Sequence, residues 1–182
     1  MFEQFLNPTV NDRNDRYGSS NLDDRVRFVL EVVDATSARI GAGKVGIRLS
    51  PYGTVSDMAA YAETAETYLH LGRALSTRGL AYVHFMDQSV LGLPPIDPEF
   101  LSRFRATYTG NLMIAGQLDF EKAQQLVDSG AIDLPAFGQP FISNPDLVER
   151  FRHGWPLALP DRETYYGGGA NGYVDYPVYQ GI

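Results

Sequence analysis

The feature that most constrains this chain is an alternation. Four short apolar segments read as strands: Lys44–Ser50, Gly79–Phe85, Asn111–Gly116 and Ala131–Gly138. Between and after them lie stretches with helical periodicity. Strands separated by whole helices cannot pair as hairpins. They pair in parallel through right-handed crossovers. Ahead of the first strand, Leu22, Val26, Val29 and Val33 form one stripe, widened by Leu30 and Ala38. That spacing predicts a helix over 22–40, stopped by Gly41 and Gly43. Further helices are predicted from Val55 to Thr77, with Ser56 or Asp57 as N-cap, over Phe100–Tyr108, and over Phe120–Ser129 with Asp119 as N-cap. Asn144 and Pro145 are the expected N-cap and first residue of the last helix. Pro135 is awkward in its strand, because proline removes a ladder donor. Residues 7–24 read as a polar loop, and the tail from Trp155 as ordered coil. Four βα units make either half of a (β/α)8 barrel or a small open sheet, and the pattern allows both.

Composition narrows the function classes. The chain has 182 residues, 44% hydrophobic and 20% charged, enough for one globular domain. A net charge of -7 with no basic run argues against nucleic acid as partner. There is no cysteine, which removes disulfides, thiolate nucleophiles and Cys-ligated metals. No His pair stands at ligand spacing, so no metal site is expected. No apolar run approaches the roughly 20 residues of a membrane span. The segment Met1–Pro8 lacks the features of a signal peptide. The expectation is a soluble cytoplasmic protein with no membrane partner.

In parallel α/β folds, ligands sit at the carboxyl ends of the strands. Gly116 and Gly138 end consecutive strands. They suit backbone N–H contacts to a phosphate, or they are ordinary turn glycines. Arg48 ends the first strand. It meets either an anionic ligand or electron-rich ring, or a structural ion pair on a neighbouring strand. His84 ends the second strand and is a candidate site residue, whereas His70 and His153 read as surface or packing residues. No phosphate loop is present, and Gly167–Gly172 follows a helix rather than a strand.

Several segments together carry a family resemblance. Asn11–Ser19 with Arg25-Val26-Arg27-Phe28 resembles the stretch after the fourth strand of the old yellow enzyme family. Val45-Gly46-Ile47-Arg48-Leu49-Ser50-Pro51 resembles its fifth strand, and Ile114-Ala115-Gly116 and Ala136-Phe137-Gly138 its seventh and eighth. Asn144-Pro145-Asp146-Leu147 and Tyr166–Tyr173 resemble its C-terminal signature. The resemblance implies a (β/α)8 barrel that holds FMN. It implies hydride transfer from NADPH or NADH to an activated alkene. By position, Arg48 contacts the flavin ring, Ala115, Gly116, Gly138 and Gln139 present N–H groups to the phosphate, and Tyr166 lines the substrate pocket. Three positions depart from the family pattern: Gln139 replaces a common Arg, Gln117 a usual Gly, and Ser19 a usual Gly.

The family's substrate-polarising His/His or His/Asn pair and its tyrosine proton donor belong to a region ahead of Met1. The resemblance therefore implies one partial barrel domain over 1–182, strands five to eight with their helices. Residues 1–43 are the loop and helix after strand four, 44–150 the four βα units, and 151–182 the C-terminal coil. Such a half leaves sheet edges and barrel interior open. It is expected to need a complementing N-terminal half or to self-associate. The alternative is a non-catalytic barrel fragment that oligomerises or binds phosphate or FMN weakly.

Overall fold

The computed structural model describes residues 1–167 and 169–181. They fall into two units, Met1–Pro135 and Ala136–Ile182. Gly168, part of the Tyr166–Tyr173 motif, lies outside the described residues.

The first unit is built on a parallel sheet. Its strands are β1 (Gly46–Leu49), β2 (Tyr82–Met86), β3 (Leu112–Ala115) and β4 (Leu134–Ala136), in the order β1-β2-β3-β4. Helix α1 (Phe2–Leu6) opens the chain, followed by α2 (Leu22–Ile40), α3 (Thr64–Ser76), α4 (Pro98–Thr107) and α5 (Phe120–Asp128). Alternation of side chains divides the sheet into two unlike faces. Ile47, Leu49, Val83, Phe85, Leu112 and Ile114 are buried in one core with helical residues such as Leu71, Phe100 and Phe104. Phe85 and Phe104 stand 4.5 Å apart edge to face. Burying each such side chain contributes about 1.5–3 kcal/mol. Gly72 of α3 lets α4 approach, since a Cβ there would lie 2.7 Å from the Phe104 ring.

The other face carries Gly46 and Arg48 of β1, Tyr82, His84 and Met86 of β2, and Met113 and Ala115 of β3. All are exposed or half-buried. Parallel sheets are ordinarily covered on both faces. Here, among the described residues, only the face carrying Ile47, Val83 and Leu112 is fully buried. Tyr82 lies across Gly46, its partner in register, where a Cβ would come within 2.4 Å of the ring.

Helix α2 has the expected bounds. Asn21 caps it by accepting from Asp24 N, and Gly41 ends it at φ 92°. Asp119 caps α5 as expected. Pro98 opens α4 behind the Asp97 cap. Pro135 stands in β4, at an end of the sheet order, where a missing donor is tolerated.

Three expectations are corrected. Helix α1 lies where no element was expected. It is held by Phe5 stacked on Phe28 at 4.1 Å and by Glu3, whose Oε1 accepts from Ser50 N. The helix expected from Val55 begins at Thr64. Ser56 and Asp57 take left-handed φ of 61° and 62°, so neither caps a helix.

The third correction falls in the second unit. There α6 (Gln139–Ser143) and α7 (Leu147–His153) divide the last helical stretch, and Asn144 is the C-cap of α6 rather than an N-cap. The Asn144 amide is buried. It donates to the carbonyls of Pro140 and Ala158 and accepts from Ala158 N. Asp146 instead accepts from Arg150 Nε and Tyr179 N. The coil that follows is fixed by Arg150, which donates to the carbonyls of Pro156 and Pro177. Burial opposes ionisation of Asp146, yet the Tyr179 N–H and Arg150 hold its carboxyl below the ordinary value.

Candidate functional site

The bare face of the sheet gathers three of the sequence candidates. Arg48 and His84 are partners in register, and His84 in turn faces Met113. Ala115 follows on the same face, opposite Met86. Arg48 is exposed, so its charge carries no burial cost. Among the described residues no carboxylate pairs with it. Of the two readings of Arg48, the structural ion pair is absent here. The guanidinium is left facing outward from the end of a parallel strand, where ligands bind.

His84 is half-buried, and its Nε2 is buried without a hydrogen-bond partner. Burial first, and then the neighbouring Arg48 charge, pull the imidazole below its ordinary pKa. Burial and Arg48 thus both disfavour a second positive charge at this position.

Beyond Ala115 the chain makes a turn that only glycine fits. Gly116 has φ 120°, and a Cβ there would lie 2.4 Å from the Asp87 carbonyl oxygen. The ends of β2 and β3 are thus drawn together without a side chain between them, and Asp87 N donates to Ala115 O at 2.8 Å. Gln117 follows at φ 44°, a left-handed conformation, with its amide donating to Ser89 O. Gln117 thus holds a glycine-like backbone under a long side chain. Ser19 shows the opposite. Its φ is not positive, and its hydroxyl donates to Asn11 O, so nothing local demands glycine.

Asp87 was not singled out from the sequence. It is buried at the end of β2, accepting from Ser89 N at 2.8 Å and Ile96 N at 3.4 Å. It fixes the loop that backs Gly116. The available signal was an Asp followed two residues on by Ser, an Asx-turn pattern at a strand end.

The second unit holds the remaining candidates. Gly138 is the N-cap of α6 and Gln139 its first residue; both are exposed. A Cβ on Gly138 would meet nothing within 4 Å, so glycine is not sterically required there. Gly138 lines an open depression of about 340 Å³ with Phe141, Ile142, Thr164, Tyr165 and Tyr173. Tyr166 is outside that lining and 99% exposed, edge-on to Tyr165. The other histidines have local roles. His70 meets Asp23 at 2.8 Å, and His153 stacks on Trp155 at 4.7 Å. Among the described residues no group of three metal-type ligands converges, and no helix is long and apolar enough to cross a membrane.

Comparison with known proteins places these features in a common frame. Residues 1–158 match the model of the NADH:flavin oxidoreductase / NADH oxidase family. Enoate reductase 1 of Kluyveromyces lactis is 37% identical over 196 residues, covering 99% of this chain and 48% of the relative. The 12-oxophytodienoate reductase 1 of rice, Oryza sativa subsp. japonica, is 37% identical over 186 residues, covering 100% and 48%. Among solved structures, morphinone reductase superposes with a TM-score of 0.92 at 40% identity, over 98% of this chain and 47% of that one. The chain spans about half the length of the curated relatives it matches.

Proposed function

The chain belongs to the NADH:flavin oxidoreductase / NADH oxidase family, and from that premise we propose that it is the FMN-holding C-terminal half of an ene-reductase barrel. In this reading β1 to β4 are strands five to eight of a (β/α)8 barrel. The bare sheet face is barrel interior, covered by strands that lie outside residues 1–182. Those strands, in the same polypeptide or in a complementing half, also bring the His/His or His/Asn pair that polarises the substrate. Self-association of two copies is the other way to cover the face.

The residues present fit FMN. The unpaired Arg48 supports this best. FMN held there would supply hydride transfer between NADH or NADPH and an activated alkene. Arg48 would hold the flavin ring, its positive charge favouring the negative charge that reduction brings. Burial and the Arg48 charge disfavour protonation of His84 beside it. In the first unit Ala115 and Gly116 offer backbone N–H groups to the phosphate. In the second unit Gly138 and Gln139 do the same, the Gln139 side-chain amide standing in for the arginine of many relatives. Tyr166 lines the substrate pocket.

The observation that carries the reading is the unpaired Arg48 on an uncovered parallel sheet. Flavin fluorescence during titration of FMN with the chain tests it. Quenching that weakens about tenfold or more in Arg48→Gln, as loss of a charged contact to the ligand requires, is the expected result. Equal quenching by both proteins overturns the role of Arg48. No quenching by either leaves the non-catalytic fragment as the better account.

A further inference from the structure

The flavin reading leaves one cavity of the first unit unused. It holds about 110 Å³ between α1, the loop after β1 and the start of α3. Its wall contains one carboxylate, Glu3, and three tyrosines, Tyr52, Tyr61 and Tyr68, with apolar surface from Met58 and Pro94. Glu3 is fixed in place, because Oε1 accepts from Ser50 N at 2.8 Å. Its other oxygen has no partner among the described residues. Tyr68 is only 3% exposed, and its hydroxyl makes no hydrogen bond there. The Tyr61 hydroxyl is buried beside Thr64 and Thr67 and makes no well-formed hydrogen bond. Burial first, then Glu3 and Tyr61, push the Tyr68 phenol well above its ordinary pKa, so these groups share one poorly solvated space.

A carboxylate oxygen without a partner, in a cavity that also holds the Tyr61 and Tyr68 hydroxyls, suits a cation that carries N–H donors. No lysine or arginine lines the cavity. Arg25 stands 5.9 Å from the Tyr61 ring; its terminal N–H groups are directed to Thr67 Oγ1 and Ser19 O, its buried Nε has no partner, and it is not part of the cavity lining. Glu3 repels an anion. A neutral alcohol has a single O–H to donate and no charge to balance Glu3.

We propose that this cavity binds a small primary alkylammonium ion. Its nitrogen donates to Glu3 and to the Tyr61 and Tyr68 hydroxyls, and its alkyl chain rests on Met58 and Pro94. An apolar cavity of about 150 Å³ takes benzene. This smaller one suits a chain of about three carbons.

The test is calorimetric titration of the full chain with n-propylammonium chloride, alongside saturation-transfer NMR of the same ligand. 1-Propanol and sodium propionate serve as controls of like size. The ammonium ion binds and neither control matches it. Glu3→Gln keeps an acceptor for Ser50 N and weakens ammonium binding about tenfold or more, as expected for a charged hydrogen bond. Tyr61→Phe weakens it about threefold or more, and Glu121→Gln on the exposed side of α5 changes nothing. Silence in both experiments, equal binding of 1-propanol, or undiminished binding to a folded Glu3→Gln protein overturns the assignment.

Discussion

Substituting Gly116 by Ala tests the turn that joins the ends of β2 and β3. At φ 120° the backbone lies in a region that side-chain-bearing residues rarely enter, at a cost of about 1–3 kcal/mol. The new Cβ would stand 2.4 Å from the Asp87 carbonyl oxygen and 2.8 Å from the Asp87 Cβ. The first contact is with backbone, so the neighbouring chain must retreat by roughly 1 Å to reach ordinary van der Waals distance. That retreat strains the 2.8 Å hydrogen bond from Asp87 N to Ala115 O, worth about 1 kcal/mol. Together these give a loss of about 3 kcal/mol. For a chain of this size that lowers Tm by roughly 6–12 °C. Circular dichroism melting of the variant beside the parent checks the figure. FMN titration of the same samples, well below Tm, reads the binding consequence, an affinity loss larger than that of Gly138→Ala. A Gly116→Ala protein that melts within about 1 °C of the parent would refute the claim that a side chain has no room.

Other substitutions probe separate parts of the account. Gln117→Gly relieves a left-handed backbone at φ 44° and is expected to raise stability by up to about 1 kcal/mol, seen as a higher midpoint in urea. Phe104→Ala removes a fully buried ring packed on Phe85, Phe100 and Tyr108, and its urea midpoint should fall by the equivalent of about 3–5 kcal/mol. His84 has a depressed pKa in the folded chain. Its contribution to stability is complete above the unfolded value, about 6.5, and is lost as pH falls through the lower folded value. Melting curves from pH 7.5 to 5 should therefore slope less steeply for His84→Gln than for the parent.

What the sequence disclosed, and what it concealed, follows from the range of the forces involved. The bounds of helix α2 were legible because its apolar stripe and its Gly41 stop are both local. Arg48 and Gly116 were legible because strand ends in a parallel sheet are marked by the strand itself. The start of α3 was misplaced because the Ala- and Glu-rich stretch after Val55 suits a helix. The chain there is instead anchored by burial of Met58 and by the Asn7 amide, which donates to Ala59 O 52 residues away. Asn144 looked like a helix cap by type and spacing, yet its partners in Ala158 lie 14 residues on. Helix α1 is too short for any periodic signal and exists through contacts with Phe28 and Ser50. The cavity around Glu3 had no signal at all, since its walls come from segments far apart in the chain.

The most direct test of the half-barrel account is size-exclusion chromatography, monitored at the flavin wavelength, of this chain mixed with FMN and the N-terminal half of morphinone reductase. The account predicts a single yellow species with the mass of one copy of each half, formed less readily by Arg48→Gln. Separate elution of the two halves, with FMN leaving the column free, would contradict it.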